Sequence, residues 1–156
     1  MITNDIVYFG EFSQDEISGQ GCIIYLSDKK YYTGEFQGGK IEGQGLMHYS
    51  DSGLDWYDGM WRNCKKHGFG KEMFSDGCEY QGEYYNDLKN GYGKITWPGG
   101  SYYQGTFSKG NFQGHGTYLW TDGSQYAGEW SAGQMHGKGL FTYENGSQYS
   151  GEYERD

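Results

Sequence analysis

Aromatic residues in this chain recur four apart, with a glycine midway between them and mostly polar residues in the alternate positions. In YAGEWSAGQMHGKG (residues 126–139), Tyr126, Gly128 and Trp130 therefore share one side of an extended strand. The unit recurs. Tyr8, Tyr32, Tyr57, Tyr80, Tyr103, Tyr126 and Tyr149 follow one another at intervals of 24, 25, 23, 23, 23 and 23 residues. Two positions after each stands glycine: Gly10, Gly34, Gly59, Gly82, Gly105, Gly128 and Gly151. Two further on stands an aromatic: Phe12, Phe36, Trp61, Tyr84, Phe107, Trp130 and Tyr153. Eleven and thirteen positions after the first six tyrosines come two more glycines, from Gly19/Gly21 to Gly137/Gly139. Position seventeen is again aromatic, as Tyr25, Tyr49, Phe74, Trp97, Trp120 and Tyr143.

Each repeat reads as a β-hairpin closed by a glycine-rich loop. Asp76-Gly77, Gly99-Gly100, Asp122-Gly123 and Asn145-Gly146 turn the chain into the next repeat. Self-similarity at this period signals a repeat architecture. Residues 1–156 are expected to form a single domain of repeats 8–31, 32–56, 57–79, 80–102, 103–125 and 126–148, with a partial one at 149–156. Pairing positions that sum to seventeen sets each tyrosine opposite the seventeenth-position aromatic. It also sets each second aromatic over the thirteenth-position glycine, where a ring covers bare backbone. The same register predicts an alternating charge ladder, Lys71–Glu83–Lys94, on the opposite face.

Composition agrees with short strands and turns. The 156 residues include 29 glycines, 17 tyrosines and one proline, and the 19% aromatic content argues against disorder. Net charge is −9, with nine acidic and three basic residues in 1–55, seven and seven in 56–125, and five and two in 126–156. That balance disfavours nucleic acid and anionic lipid as partners. The one basic cluster, Arg62, Lys65 and Lys66 within Arg62–His67, is the candidate lipid or phosphate contact. Without a signal-like N-terminus or a long apolar run, the chain reads as soluble and cytoplasmic.

Catalytic chemistry finds no foothold. G-x-S-x-G, H-E-x-x-H and paired C-x-x-C motifs are missing, and residues 34–41 miss a P-loop by carrying Ile41 at the Ser/Thr position. Cys22, Cys64 and Cys78 fit neither a disulfide framework nor a zinc pattern. His67 and His136 are three repeats apart and are not read as a metal pair; Asn145-Gly146-Ser147 reads as a turn more readily than as a glycosylation site. The expectation is no enzyme, no cofactor and no metal.

YAGEWSAGQMHGKG resembles, nearly letter for letter, the Y-x-G-E-W-x-x-G-x-x-H-G-x-G core of the MORN repeat family, and the resemblance runs from Tyr8 to Tyr153. Departures are local: the motif histidine survives as His67 and His136 alone, and its glutamate is Met60 and Thr106 in the third and fifth repeats. The resemblance implies an all-β, single-layer antiparallel sheet of repeated hairpins, an elongated grooved half-pipe of about 60 Å at 4.8 Å per strand. It further implies a non-catalytic scaffold that binds a partner protein, as a peptide or helix, in a cytoskeletal, ciliary or membrane-junction assembly. A membrane-associated adaptor working through the Arg62–His67 loop is the alternative.

One layer cannot bury both faces, and exposed apolar surface marks binding. The expected groove floor is the fifteenth-position set: Ile23, Met47, Glu72, Ile95, Tyr118 and Phe141. Its walls are Tyr57, Trp61, Phe74, Tyr80, Tyr84, Trp97, Tyr103, Phe107, Trp120, Tyr126, Trp130 and Tyr143. Glu72, a carboxylate among rings, either receives a partner's basic side chain or pairs with a neighbour such as Lys71. The strand at 149–153 leaves a sheet edge that invites a homodimer unless the charged tail Glu154-Arg155-Asp156 blocks it.

Overall fold

The computed structural model describes residues 5–154. They form six hairpins and one further strand. The hairpins are β1 (Ile6–Ser13) with β2 (Glu16–Tyr25), β3 (Lys30–Gln37) with β4 (Lys40–His48), and β5 (Trp56–Arg62) with β6 (Lys65–Met73). The remainder are β7 (Glu79–Tyr85) with β8 (Leu88–Thr96), β9 (Tyr102–Ser108) with β10 (Asn111–Leu119), β11 (Gln125–Ser131) with β12 (Gln134–Thr142), and the single β13 (Gln148–Glu154). The strands are antiparallel and follow one another in chain order in one open sheet. The residues group into two compact units. One runs through Gly77 and takes in Tyr84–Asp87; the other comprises Cys78–Glu83 and Leu88 onward.

The hairpin loops are tighter than the glycine content suggests. Two residues suffice, as in Gln14-Asp15 and Ala132-Gly133, and both adopt positive φ, the conformation of the hairpin turn that matches strand twist. The eleventh- and thirteenth-position glycines lie inside the second strand instead of in the loop. The eleventh, Gly137 for example, takes a φ of 57° and makes a bulge where β11 and β12 slip register between Gly128 and Glu129. The bulge leaves an amide to satisfy, and the motif glutamate accepts from it: Tyr92 N donates to Glu83 Oε1 at 2.9 Å and Lys138 N to Glu129 Oε1 at 3.1 Å.

The register differs from the sequence expectation by two residues. Tyr57 faces Glu72 and Gly59 faces Gly70, so paired positions sum to fifteen, and the between-strand pairs Ile95–Tyr103 and Tyr118–Tyr126 keep the pattern. Lys71 consequently stands opposite Asp58 and Lys94 opposite Gln104, in place of a ladder through Glu83. Glycine meets glycine because a tyrosine ring lies across both. A Cβ added at Gly59 would come 2.5 Å from the Gly70 Cα and 2.6 Å from the Tyr57 hydroxyl. That hydroxyl donates to the carbonyl three residues on, at 2.9 Å in Tyr57→Met60 and 3.0 Å in Tyr126→Glu129.

Each of these tyrosines is also held edge-on between two rings. Tyr103 meets Phe107 of its own repeat at 5.2 Å and Trp130 of the next at 5.3 Å, with interplanar angles of 89° and 86°. Tyr57 does the same between Trp61 at 5.0 Å and Tyr84 at 5.2 Å. Such pairs contribute about 0.5–1.5 kcal/mol each beyond their buried area. The six tyrosines from Tyr8 to Tyr126 are 0–2% exposed. Each unit therefore has a core after all, made from a zipped row of rings on one face.

Candidate functional site

Burial divides the expected groove residues into two groups. Tyr57, Trp61, Tyr80, Tyr84, Tyr103, Phe107, Tyr126 and Trp130 belong to the zipped core and are buried, as are Ile23, Met47 and Glu72. Ile95, Tyr118, Phe141, Phe74, Trp97 and Trp120 are half-buried, and Tyr143 is 49% exposed. The ring surface that remains accessible thus lies toward the strand ends at the inter-repeat turns.

In the second unit these accessible rings are continuous. Trp97 meets Tyr118 at 5.5 Å, Tyr118 meets Trp120 at 4.5 Å, Trp120 meets Phe141 at 5.3 Å, and Phe141 meets Tyr143 at 4.8 Å. The planes are tilted by 33–52° instead of crossing at right angles as in the core. Phe112 supports the strip from beneath, stacked on Tyr103 at 3.8 Å and edge-on to Trp97 at 6.3 Å. Sequence reasoning missed Phe112 because it weighed only the strict repeat positions. Its place, nine after the tyrosine, varies between Ile17, Ile41, Lys66, Lys89, Phe112 and Met135.

The strip is shaped by its turns. Gly100 N donates to the Trp97 carbonyl, Gly123 N to that of Trp120 and Gly146 N to that of Tyr143, at 2.9–3.1 Å, which projects all three rings beside tight reversals. Asp122 Oδ1 accepts from Ser124 N at 2.8 Å and Ser124 Oγ at 2.6 Å. These bonds, chiefly that of the Ser124 hydroxyl, hold the Asp122 carboxyl below the usual carboxylate range. A hollow of about 320 Å³ opens at the end of the strip, between Phe141, Tyr143, Asp122, Ser124, Glu144 and Asn145.

In the first unit the equivalent surface is filled by the chain itself. The Lys66 ammonium contacts the Glu72 carboxylate and lies 5.0, 5.1 and 5.7 Å from the centres of the Tyr49, Tyr57 and Tyr84 rings. Tyr84 donates to Glu72 Oε2 at 2.5 Å. With Lys66 and Glu72 side chains only 13% and 7% exposed, the carboxylate is satisfied internally, by Lys66 and Tyr84. Lys66 is accordingly withdrawn from the expected basic cluster, of which Arg62 and Lys65 remain exposed.

The opposite face of the second unit carries a wider hollow, about 780 Å³, floored by the backbone of the paired glycines and bordered by Tyr92, His115, Lys138 and Leu140. Its lining mixes polar side chains such as Gln104, Thr117 and Glu152 with the exposed Tyr92 and Leu140. Among the described residues no group of three or more His, Cys, Asp and Glu side chains comes together to hold a metal ion. Nor, among them, is any helix long and apolar enough to cross a membrane. Beyond Glu154, the charged tail expected to guard the β13 edge lies outside the described residues.

A model of the MORN repeat matches residues 8–26, 32–54, 57–79, 80–102, 103–125 and 126–148. The chain belongs to the MORN repeat family. The six matched MORN repeats are the six hairpins, each with its tyrosine over a glycine pair. No relative matches among curated protein sequences. Among solved structures, the MORN chain is similar to the TCP domain of Drosophila melanogaster SAS-4 (dCPAP), solved in complex with a proline-rich motif of Ana2 (dSTIL). Identity is 13%, the TM-score is 0.52, and the match covers 86% of this chain and 72% of the other. The TCP10c domain of D. melanogaster Sas-4 also matches, at 12% identity and a TM-score of 0.43, covering 88% of each chain. At these identities the likeness is one of fold.

Proposed function

We propose that this MORN chain is a non-catalytic interaction module whose aromatic strip, Trp97–Tyr118–Trp120–Phe141–Tyr143, takes an extended, proline-rich segment of a partner protein. A cytoskeletal, ciliary or membrane-junction assembly is the setting that suits such a scaffold. The observation that carries the reading is the strip itself: five rings in unbroken contact, half-buried to exposed, beside the row of tyrosines that is buried. Proline-rich segments dock on aromatic-lined surfaces because their extended helix is preformed and loses little entropy on binding. The fold likeness to a domain solved with a proline-rich motif supports the same reading.

Affinity capture from native extract tests it, comparing wild type with a Trp97→Ala, Trp120→Ala variant shown by circular dichroism to stay folded. A protein held by wild type and lost by the variant, with its binding segment mapped to an extended stretch, fits the proposal. Equal capture by both baits contradicts it. The lipid-adaptor alternative is weakened by Lys66, whose ammonium is engaged by Glu72 and three tyrosines and is not presented to a membrane.

A further inference from the structure

The chain itself displays what its aromatic face accepts besides rings. In the first repeat the Lys30 ammonium sits 4.8 Å from the centre of the Tyr25 ring and 2.5 Å from Asp28 Oδ2. Tyr25 is a seventeenth-position aromatic, Asp28 belongs to the inter-repeat turn, and Lys30 stands two residues before the next repeat's tyrosine. Lys66, in its cage of Tyr49, Tyr57, Tyr84 and Glu72, repeats the theme one hairpin further. A cation over a ring, backed by a carboxylate, thus occurs at both Lys30 and Lys66.

At the far end of the strip the ring and the carboxylates are present, and the lysine is replaced. Tyr143 is the seventeenth-position aromatic, with Glu144 beside it and Asp122 across from the neighbouring turn. The positions equivalent to Lys30, two before Tyr126 and Tyr149, are Ser124 and Ser147. Of these two serines Ser124 borders the 320 Å³ hollow, together with Phe141, Tyr143, Asp122, Glu144 and Asn145, so a short side chain lines it where Lys30 stands in the equivalent turn. No basic side chain borders it.

We infer that this hollow is a cation subsite: it receives an arginine or lysine side chain of the partner segment that lies along the strip. The inference rests on the proposed function and adds to it a requirement for charge in the partner. The protein's own lysines at Tyr25 and Tyr49–Tyr57 mark the geometry, and the carboxylates supply the complementary sign. The subsite also sets the direction in which a segment lies, with its basic residue at the Tyr143 end and its apolar part toward Trp97.

The test uses the full chain and two dye-labelled oligoproline peptides, one with a central arginine and one with citrulline, which keeps the shape and removes the charge. Fluorescence anisotropy at low salt gives both affinities for wild type and for an Asp122→Asn, Glu144→Gln variant. The turn tolerates the first change, since Asn145 Oδ1 already accepts from Ser147 N at 2.9 Å and from its Oγ at 2.6 Å in the next turn. Wild type should prefer the arginine peptide by about fivefold or more. The variant should bind both peptides as wild type binds the citrulline one. An arginine preference that survives in the variant would assign it to the chain's overall acidity and overturn the subsite. Equal binding of both peptides by wild type, abolished by Trp97→Ala, Trp120→Ala, would overturn the subsite and leave the strip standing. Binding of neither peptide would bring down the strip and the subsite together.

Discussion

The Tyr57 ring lies over Gly70 of the neighbouring strand while its hydroxyl bonds the Met60 carbonyl at 2.9 Å. This one arrangement, repeated in six hairpins, explains why the chain is rich in both glycine and tyrosine: the ring needs bare backbone beneath it, and the backbone needs a ring above it. Gly70→Ala would place a Cβ 2.5 Å from that ring, which is wedged edge-on between Trp61 and Tyr84 and has little room to retreat. The expected loss is about 3 kcal/mol, as for overpacking in a tight core. Tyr57→Phe, which keeps the ring and deletes one hydrogen bond, should cost only about 1 kcal/mol. Urea denaturation of both variants checks the ordering.

Lys66 and Glu72 form a buried pair, so their energies should be strongly non-additive. Removing one partner strands the other: Lys66→Met alone should destabilise by roughly 3 kcal/mol. The double change Lys66→Met, Glu72→Phe copies Met135 and Phe141, the residues at the same positions of the sixth repeat. It should recover most of that loss, and a double-mutant cycle in denaturant reads the coupling directly.

The glutamate of the motif is a bulge cap, and the fifth repeat lacks it. Thr106 stands where Glu83 and Glu129 accept amide hydrogens from Tyr92 and Lys138. Thr106→Glu should therefore stabilise, by about 0.5 kcal/mol, through a new acceptor for the His115 amide. A raised denaturation midpoint with unchanged slope is the expected result.

Burial pushes the Tyr103 hydroxyl up to about 12, and raises those of Tyr32 and Tyr57 further by the same cause. A folded-state value above the unfolded one near 10 means stability is complete below pH 10 and falls as pH rises through the folded value. Ultraviolet titration at the phenolate band should show Tyr32, Tyr57 and Tyr103 ionising in one step, coincident with loss of circular dichroism.

Much of the architecture was legible in the sequence because period and parity are written in residue types. Tyrosine, glycine and aromatic at even spacing place one face, and the repeat length counts the hairpins. The register was misplaced by two because a ring opposite a glycine also looks complementary. The observed pairing of Gly59 with Gly70 instead lets one ring cover two glycines. Parity was unchanged by that slip, so the inward residues were still identified. Which of them remain accessible was not legible, since it depends on ring-to-ring closure between repeats. Lys66 illustrates the limit: nine residues from its tyrosine, it follows no repeat rule, yet it fills the surface around Glu72.

The central claim is that the accessible strip, and not the zipped core or the glycine-floored hollow, is where a partner binds. Its most direct test is a two-dimensional proton–nitrogen spectrum of the tryptophan indoles during titration with an arginine-bearing oligoproline peptide. The Trp97 and Trp120 signals should move, while those of Trp56 and Trp61 in the first unit stay in place. Shifts confined to the amides of His115, Thr117 and Lys138, which border the opposite hollow, with the Trp97 and Trp120 indoles unmoved, would contradict it.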